Sequence, residues 1–161
     1  MRNLRRPSLV ALAVVAYCGW RAFDLVDAWR DSPFDKFGWL ALIVWLSPLA
    51  WLLARAEADP NLPNEIPVLL WIGLGLSLFG TLGAFNAFHY AGLACALVGM
   101  VRWAPRNLPW LLASVGWMPV FGYYVSQVMP QFMLPARILV ALLGAAWTIR
   151  AASRRCAREK P

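Results

Sequence analysis

From Ile66 to Phe85 the chain runs without a single charged side chain. A run of that length needs either the interior of a large soluble domain or the hydrocarbon of a bilayer, because its backbone must be satisfied internally and its side chains kept from water. It is not alone. Residues 37–54, 87–101 and 108–125 also lack Asp, Glu, Lys and Arg, while 8–23 and 134–149 carry only Arg21 and Arg137. Each segment is near the roughly 17–25 residues that span hydrocarbon. Composition decides between the two homes. The 161-residue chain is 61% hydrophobic and 14% charged, against roughly 45–50% and about 25% in soluble domains. A protein this small has too little interior to hide such a surplus. The expectation is an all-α, polytopic membrane helix bundle of about six transmembrane helices, forming one integral membrane domain over residues 1–161. The ten tryptophans suit it as well, since indole rings favour the headgroup interface.

The formal net charge is +7. Its distribution excludes a nucleic-acid surface, because the basic residues gather at the chain ends and in a short turn rather than along one face. Topology accounts for them better. Arg2, Arg5 and Arg6, Arg55, Arg102 and Arg106, and Arg150, Arg154, Arg155, Arg158 and Lys160 would share one side of a six-span chain. By the positive-inside rule that side is the cytoplasm. Both termini are therefore expected to be cytoplasmic, with residues 150–161 as a basic tail, in a bacterial inner membrane. The acidic loop "RAEADPNLPNE" falls on the same side, but acidic residues weigh little in this rule. The opening "MRNLRRPSLVALAVVAYCGW" has the basic start and apolar core of a signal peptide without a clear small-x-small cleavage site. Tyr17 is too bulky for the position before a lipoprotein cysteine, so the segment is read as a retained anchor helix.

Catalytic and metal chemistry find little to work with. The chain has one histidine, His89, so bis-histidine haem is excluded within it, and no cysteine or carboxylate cluster suggests a metal. No cofactor is expected. Cys18, Cys95 and Cys156 have no paired spacing. His89 and Cys95 are separated by roughly 9 Å along a helix and point to different faces, which does not make a nucleophile–base dyad.

Ionisable groups near a membrane are more informative, because they are costly there. Arg21, Asp24, Asp27, Trp29, His89 and Arg137 all fall toward the outer side and form a candidate polar pocket, with Tyr123 or Tyr124 beside it. The competing reading is that Arg21 and Arg137 snorkel to headgroups. Small residues form a second pattern. "GLGLSLFGTLGAF" spaces Gly73, Ser77, Gly80 and Gly83 by three and four, and Gly92, Ala96 and Gly99 repeat the device. Such stripes allow close helix approach, so the third and fourth segments are expected to pack on each other or on a partner. Finally, "MPVFGYYVSQVMPQFMLPAR" is too apolar for a water-exposed loop and too rich in proline for one straight helix. Pro119 is expected to kink the fifth segment, with neighbours satisfying the freed carbonyls. "SQVMPQFMLP" is read as an interfacial turn.

The stretch "FDLVDAWRDSPFDKFGWLALIVWLSPLAWLLAR", with its tryptophan and following proline, resembles the opening of exosortase and archaeosortase family proteins. "HYAGLACALVGMVRWAPRNLPWLLASVGWMPVFGYYVSQVMPQFMLP" is similar to that family's glycine-containing span, basic inner turn and proline-bearing span. The resemblance covers residues from about 20 to 145 and implies a membrane-embedded protein-sorting context. The family's catalytic Cys-Ser-Gly motif is absent here, and no histidine follows Arg137. No catalytic residue can be carried over.

The sequence thus points to a non-catalytic accessory or scaffold subunit of a membrane complex, and the resemblance implies an exosortase-like sorting system as its setting. Its partners would be the lipid bilayer and other membrane proteins, with a homo-oligomer open and nucleic acid excluded. Two alternatives stand beside it: a divergent exosortase-like cysteine transpeptidase using Cys95, His89 and Arg137, and a small-molecule or lipid transporter using the outer pocket.

Overall fold

The computed structural model describes residues 8–54, 67–101 and 107–158, with the side chains of 155–158 excepted. Among these residues every regular element is helical. In order they are α1 (Leu9–Arg21), α2 (Asp24–Asp31), α3 (Gly38–Ala54), α4 (Val68–Gly83), α5 (Asn86–Gly99), α6 (Leu108–Leu112), α7 (Pro119–Val128) and α8 (Met133–Arg158). Short 3-10 turns occupy Ala113–Trp117 and Pro130–Phe132. The all-α expectation is met. One helical stretch, Pro130–Arg154, is long and apolar enough to cross a membrane by itself, and α1 with α2 qualifies as one bent span. The 17 residues of α3 rise only about 25 Å, just short of a hydrocarbon core.

Two departures from the sequence expectation stand out. "DLVDAWRD" forms the helix α2 rather than a loop. The fifth apolar segment is not one kinked span but two short helices. Met118 adopts φ −74° and ψ 145°, because the ring of a following proline disfavours the helical region for the residue before it. Pro119 then opens α7 at a position where its missing N–H costs nothing. By contrast Pro135 sits in the first turn of α8 and is tolerated there.

The chain divides into two compact units, Met1–Val26 with Trp51–Trp103, and Asp27–Ala50 with Ala104–Pro161. The first is built on α1, α4 and α5. Ser8 caps α1, its hydroxyl accepting from the Ala11 amide at 3.2 Å. The core joins Ala11, Val14 and Cys18 of α1 to Leu70 of α4 and Ala96 of α5, with Leu74 and Leu93 packed against it.

Helices α4 and α5 form an antiparallel hairpin whose turn places Ala84 at φ 54°, a left-handed conformation that glycine adopts more cheaply. Their approach is close enough to exclude side chains. A Cβ on Gly73 would lie 2.7 Å from the Gly92 carbonyl oxygen and 2.9 Å from the Ala96 amide nitrogen. Gly99 would meet Leu70 at 3.0 Å, and Gly80 would meet His89 and Phe88 at 3.1 Å. Ser77 and Ala96 are fully buried in the same seam. Gly83 lies instead under the Phe85 ring at the turn. Gly73→Val should therefore push the hairpin apart and destabilise the protein by about 3 kcal/mol, at the upper end for overpacking. Gly75, one turn-face away with nothing within 4 Å, is the control: Gly75→Ala should stabilise by up to about 1 kcal/mol through helix propensity. Reversible unfolding in mixed micelles would compare the two.

The second unit is organised by tryptophan. Trp45, Trp110 and Trp117 are each 0% exposed. The Trp45 ring lies 5.3 Å from that of Trp110 and 5.8 Å from that of Trp117. Trp45 Nε1 donates to the Trp110 carbonyl at 2.7 Å, and Trp110 Nε1 donates back to the Trp45 carbonyl at 2.9 Å. The assignment of the indoles to the headgroup interface fails for these three: reciprocal bonding satisfies the Trp45 and Trp110 N–H groups in the interior, while Trp117 Nε1 is buried without a partner. Trp20, Trp39, Trp71 and Trp147 are exposed.

Candidate functional site

The sequence-derived pocket residues divide between the two units: Arg21, Asp24 and His89 belong to the first, and Asp27, Trp29 and Arg137 to the second. Each group has its own geometry.

In the second unit two side chains donate to backbone carbonyls around the fifth segment's break, one of which, that of Met118, also accepts from the Phe121 amide at 3.2 Å. Arg137, on the first turns of α8, donates from Nη1 to the carbonyls of Gly116 at 2.9 Å and Met118 at 3.3 Å. Trp29 on α2 donates from Nε1 to the Trp117 carbonyl at 3.2 Å. The other end of the guanidinium, Nη2, bonds the Phe34 carbonyl at 3.2 Å and pairs with the Asp35 carboxylate. Arg137 is 0% exposed and Asp35 is 6% exposed, so Arg137 does not snorkel to a surface. Its planar fork suits this task, reaching several acceptors in fixed directions. Ser32 donates its hydroxyl to the other Asp35 oxygen at 3.1 Å.

Burial pushes the Asp35 carboxyl above its ordinary value, while the Arg137 guanidinium and the Ser32 hydroxyl oppose that rise. Desolvation outweighing attraction is the usual condition of a buried pair. Asp35 was not among the sequence candidates. A signal for it lay in Gly122 of "VFGYY", where any Cβ would collide with the Arg137 guanidinium, the Asp35 carboxylate and the Phe34 carbonyl. Trp29 rests on Gly38 in the same way. Asp27 is exposed, and Tyr123 and Tyr124 are exposed beside one another.

In the first unit, Arg21 closes α1, Asp24 opens α2 and His89 lies in the second turn of α5. The charges of Arg21 and Asp24 both act on His89, which is 4% exposed. Tyr90 donates its hydroxyl to Asp24 Oδ2 at 2.6 Å. Arg21 Nε, Asp24 Oδ1 and His89 Nδ1 are buried without a hydrogen-bond partner. The Arg21 guanidinium lies over the exposed Trp20 ring at 5.5 Å.

Cys18 and Cys95 are buried free thiols, and Cys18 Sγ donates weakly to the Gly73 carbonyl at 3.7 Å. No group of three or more His, Cys, Asp or Glu that could hold a metal occurs among the described residues. The Cys156 side chain and the topology-setting Arg2, Arg5, Arg6, Arg55, Arg102, Arg106, Arg155, Arg158 and Lys160 lie outside the described residues or side chains, as does the acidic loop "RAEADPNLPNE". Compared with family models, with curated proteins and with solved structures, the chain matches none of them.

Proposed function

We propose that the chain is a multi-pass inner-membrane protein without catalytic activity of its own, acting as an accessory or scaffold subunit of a membrane complex. The observation that carries this reading is the amount of apolar surface left outside a chain that also buries a charged pair. Buried positions include Arg137, Asp35, Ser77, His89, Ser114 and Thr148, while Leu82, Leu143, Trp71 and Trp147 are among many large apolar side chains left exposed. Burying polar groups and exposing leucine is costly in water. It is the favourable arrangement in lipid, where apolar surface faces hydrocarbon and charges such as Arg137 and Asp35 pair inside. The number of about six crossings rests on the six apolar runs of the sequence. Of these, among the described residues, Pro130–Arg154 by itself and α1 with α2 as a bent pair are long enough as helices. In the broken fifth run Arg137, Trp29 and Trp45 donate to carbonyls.

Scaffolding is preferred over catalysis because Arg137 and Cys95, the residues a transpeptidase would need free, are held structurally. Arg137 is committed to carbonyls and Asp35, and Cys95 is buried within α5. The resemblance on residues 20–145 suggests a protein-sorting peptidase as the kind of partner. Two measurements test the reading. The full-length chain should remain with membranes through alkaline carbonate washing and be released by detergent; release by carbonate alone would overturn the membrane assignment. Purified in mild detergent, it should carry other membrane proteins, and a chain that is always alone and monomeric would overturn the scaffold role. Cys95→Ala should leave function intact, which a cysteine transpeptidase would not survive.

A further inference from the structure

We propose that Arg21, Asp24, His89 and Tyr90 form a binding site for a phosphoethanolamine group, presented as the headgroup of a membrane phospholipid. The proposal starts from three buried polar atoms that have nothing to bond: Arg21 Nε, Asp24 Oδ1 and His89 Nδ1. Groups of this kind are scarce in folded proteins and call for a ligand, ion or ordered water. Here they fall on adjoining elements: Arg21 closes α1, Asp24 opens α2 three residues on, and Tyr90, next to His89 on α5, bonds Asp24 at 2.6 Å.

The identity of the orphaned atoms selects the ligand. Arg Nε–H, acting with the adjacent Nη–H, is one face of the guanidinium fork that grips phosphate or carboxylate with two parallel bonds. Asp24 Oδ1 is an acceptor and needs a donor. Tyr90 holds the other Asp24 oxygen at 2.6 Å, which fixes the carboxylate and leaves Oδ1 as its open position. A simple anion would be repelled by Asp24, and a simple cation by Arg21. A group carrying a phosphate and a primary ammonium satisfies both, and the buried, unpartnered His89 Nδ1 can bond to either part.

Phosphocholine fits worse. Its quaternary ammonium has no N–H to give Asp24, and it favours open aromatic faces, whereas the Trp20 face already carries the Arg21 guanidinium. Phosphatidylglycerol offers the phosphate and hydroxyl donors but no cation to balance Asp24. A lipid source follows from the membrane assignment proposed above, on which this part of the inference rests. A failure of that assignment would show in the carbonate wash, which is a separate experiment.

The test uses the purified full-length protein in detergent. Thermal unfolding would be followed with added phosphatidylethanolamine, phosphatidylcholine and phosphatidylglycerol of matched chains, and with soluble glycerophosphoethanolamine. Phosphatidylethanolamine should bind about tenfold tighter than either other lipid, a difference of about 1.4 kcal/mol, and raise the midpoint accordingly. Asp24→Asn should bring its effect down to that of phosphatidylcholine. Native mass spectrometry of the wild-type protein decides the same point without a variant, since ethanolamine lipid should be retained in preference to choline lipid. Equal retention of the three lipids would overturn the site and leave ordered water as the partner of these atoms. An equal response to glycerophosphoethanolamine at the same concentration would overturn the lipid source and assign a free phosphoethanolamine compound instead.

Discussion

Asp35→Ala is expected to cost about 3–5 kcal/mol of unfolding free energy, because it strands a guanidinium in a site that excludes water. The cause is in the geometry. Arg137 is 0% exposed and has no route to solvent, and its remaining partners are the neutral carbonyls of Gly116, Met118 and Phe34. These carbonyls disperse part of the charge but do not neutralise it. Arg137→Met should be costly too, for the opposite reason. It leaves the Asp35 carboxylate without its counter-charge and removes a donor from two carbonyls of the broken segment, Gly116 and Met118, and from that of Phe34. Replacing both residues with apolar side chains should recover much of either loss, since the desolvation of two charges disappears together. A double-mutant cycle by reversible unfolding in mixed micelles measures the coupling. Additive losses from the two single changes would show that the pair does not act as one unit. Gly122→Ala offers an independent probe, because its added Cβ occupies the space of the pair without altering any charge.

Trp45→Ala should cost about 3–5 kcal/mol, the range for emptying a buried tryptophan site. Trp45 is 0% exposed and touches both Trp110 and Trp117. Trp45→Phe separates the two contributions. It keeps most of the ring contact but removes the Nε1 donor, leaving the Trp110 carbonyl unsatisfied at a cost of about 1–3 kcal/mol. The reciprocal bond from Trp110 to the Trp45 backbone survives this change. Tryptophan emission offers a second readout, since the remaining buried indoles should shift to longer wavelength as water enters. An alanine variant as stable as the wild type would mean that the three rings are not the centre of the unit's packing.

Much of the architecture was readable from one dimension. Uncharged runs at 37–54, 66–85 and 87–101 correspond to α3, α4 and α5 within a few residues, because a long apolar segment must satisfy its own backbone and does so most simply as a helix. The glycine spacing of α4 and α5 was equally plain, and the seam between these helices is where Gly73, Ser77, Gly92 and Ala96 lie. The break at Met118 was only half legible. Proline at 119 announced a disturbance, but whether it would kink a helix or end one depended on what could satisfy the exposed carbonyls. Helix α2 was missed because its residues read as a charged loop, and only its neighbours gave Leu25 and Trp29 something to pack against.

The polar site shows the same division. Arg21, Asp24, His89 and Arg137 could be picked out because charge is rare in this chain and therefore conspicuous. Asp35 could not, being one of several aspartates in a short stretch, with nothing local to separate it from Asp27 or Asp31. What the amino-acid order determined by itself was helix formation and the position of apolar runs, since these depend on interactions within a segment. What the tertiary structure alone decided was partnership: Asp35 with Arg137, Trp45 with Trp110, Tyr90 with Asp24. Such pairs join residues 65 to 102 positions apart, and the free energy that selects them comes from removing both members from solvent at once, which no local pattern records.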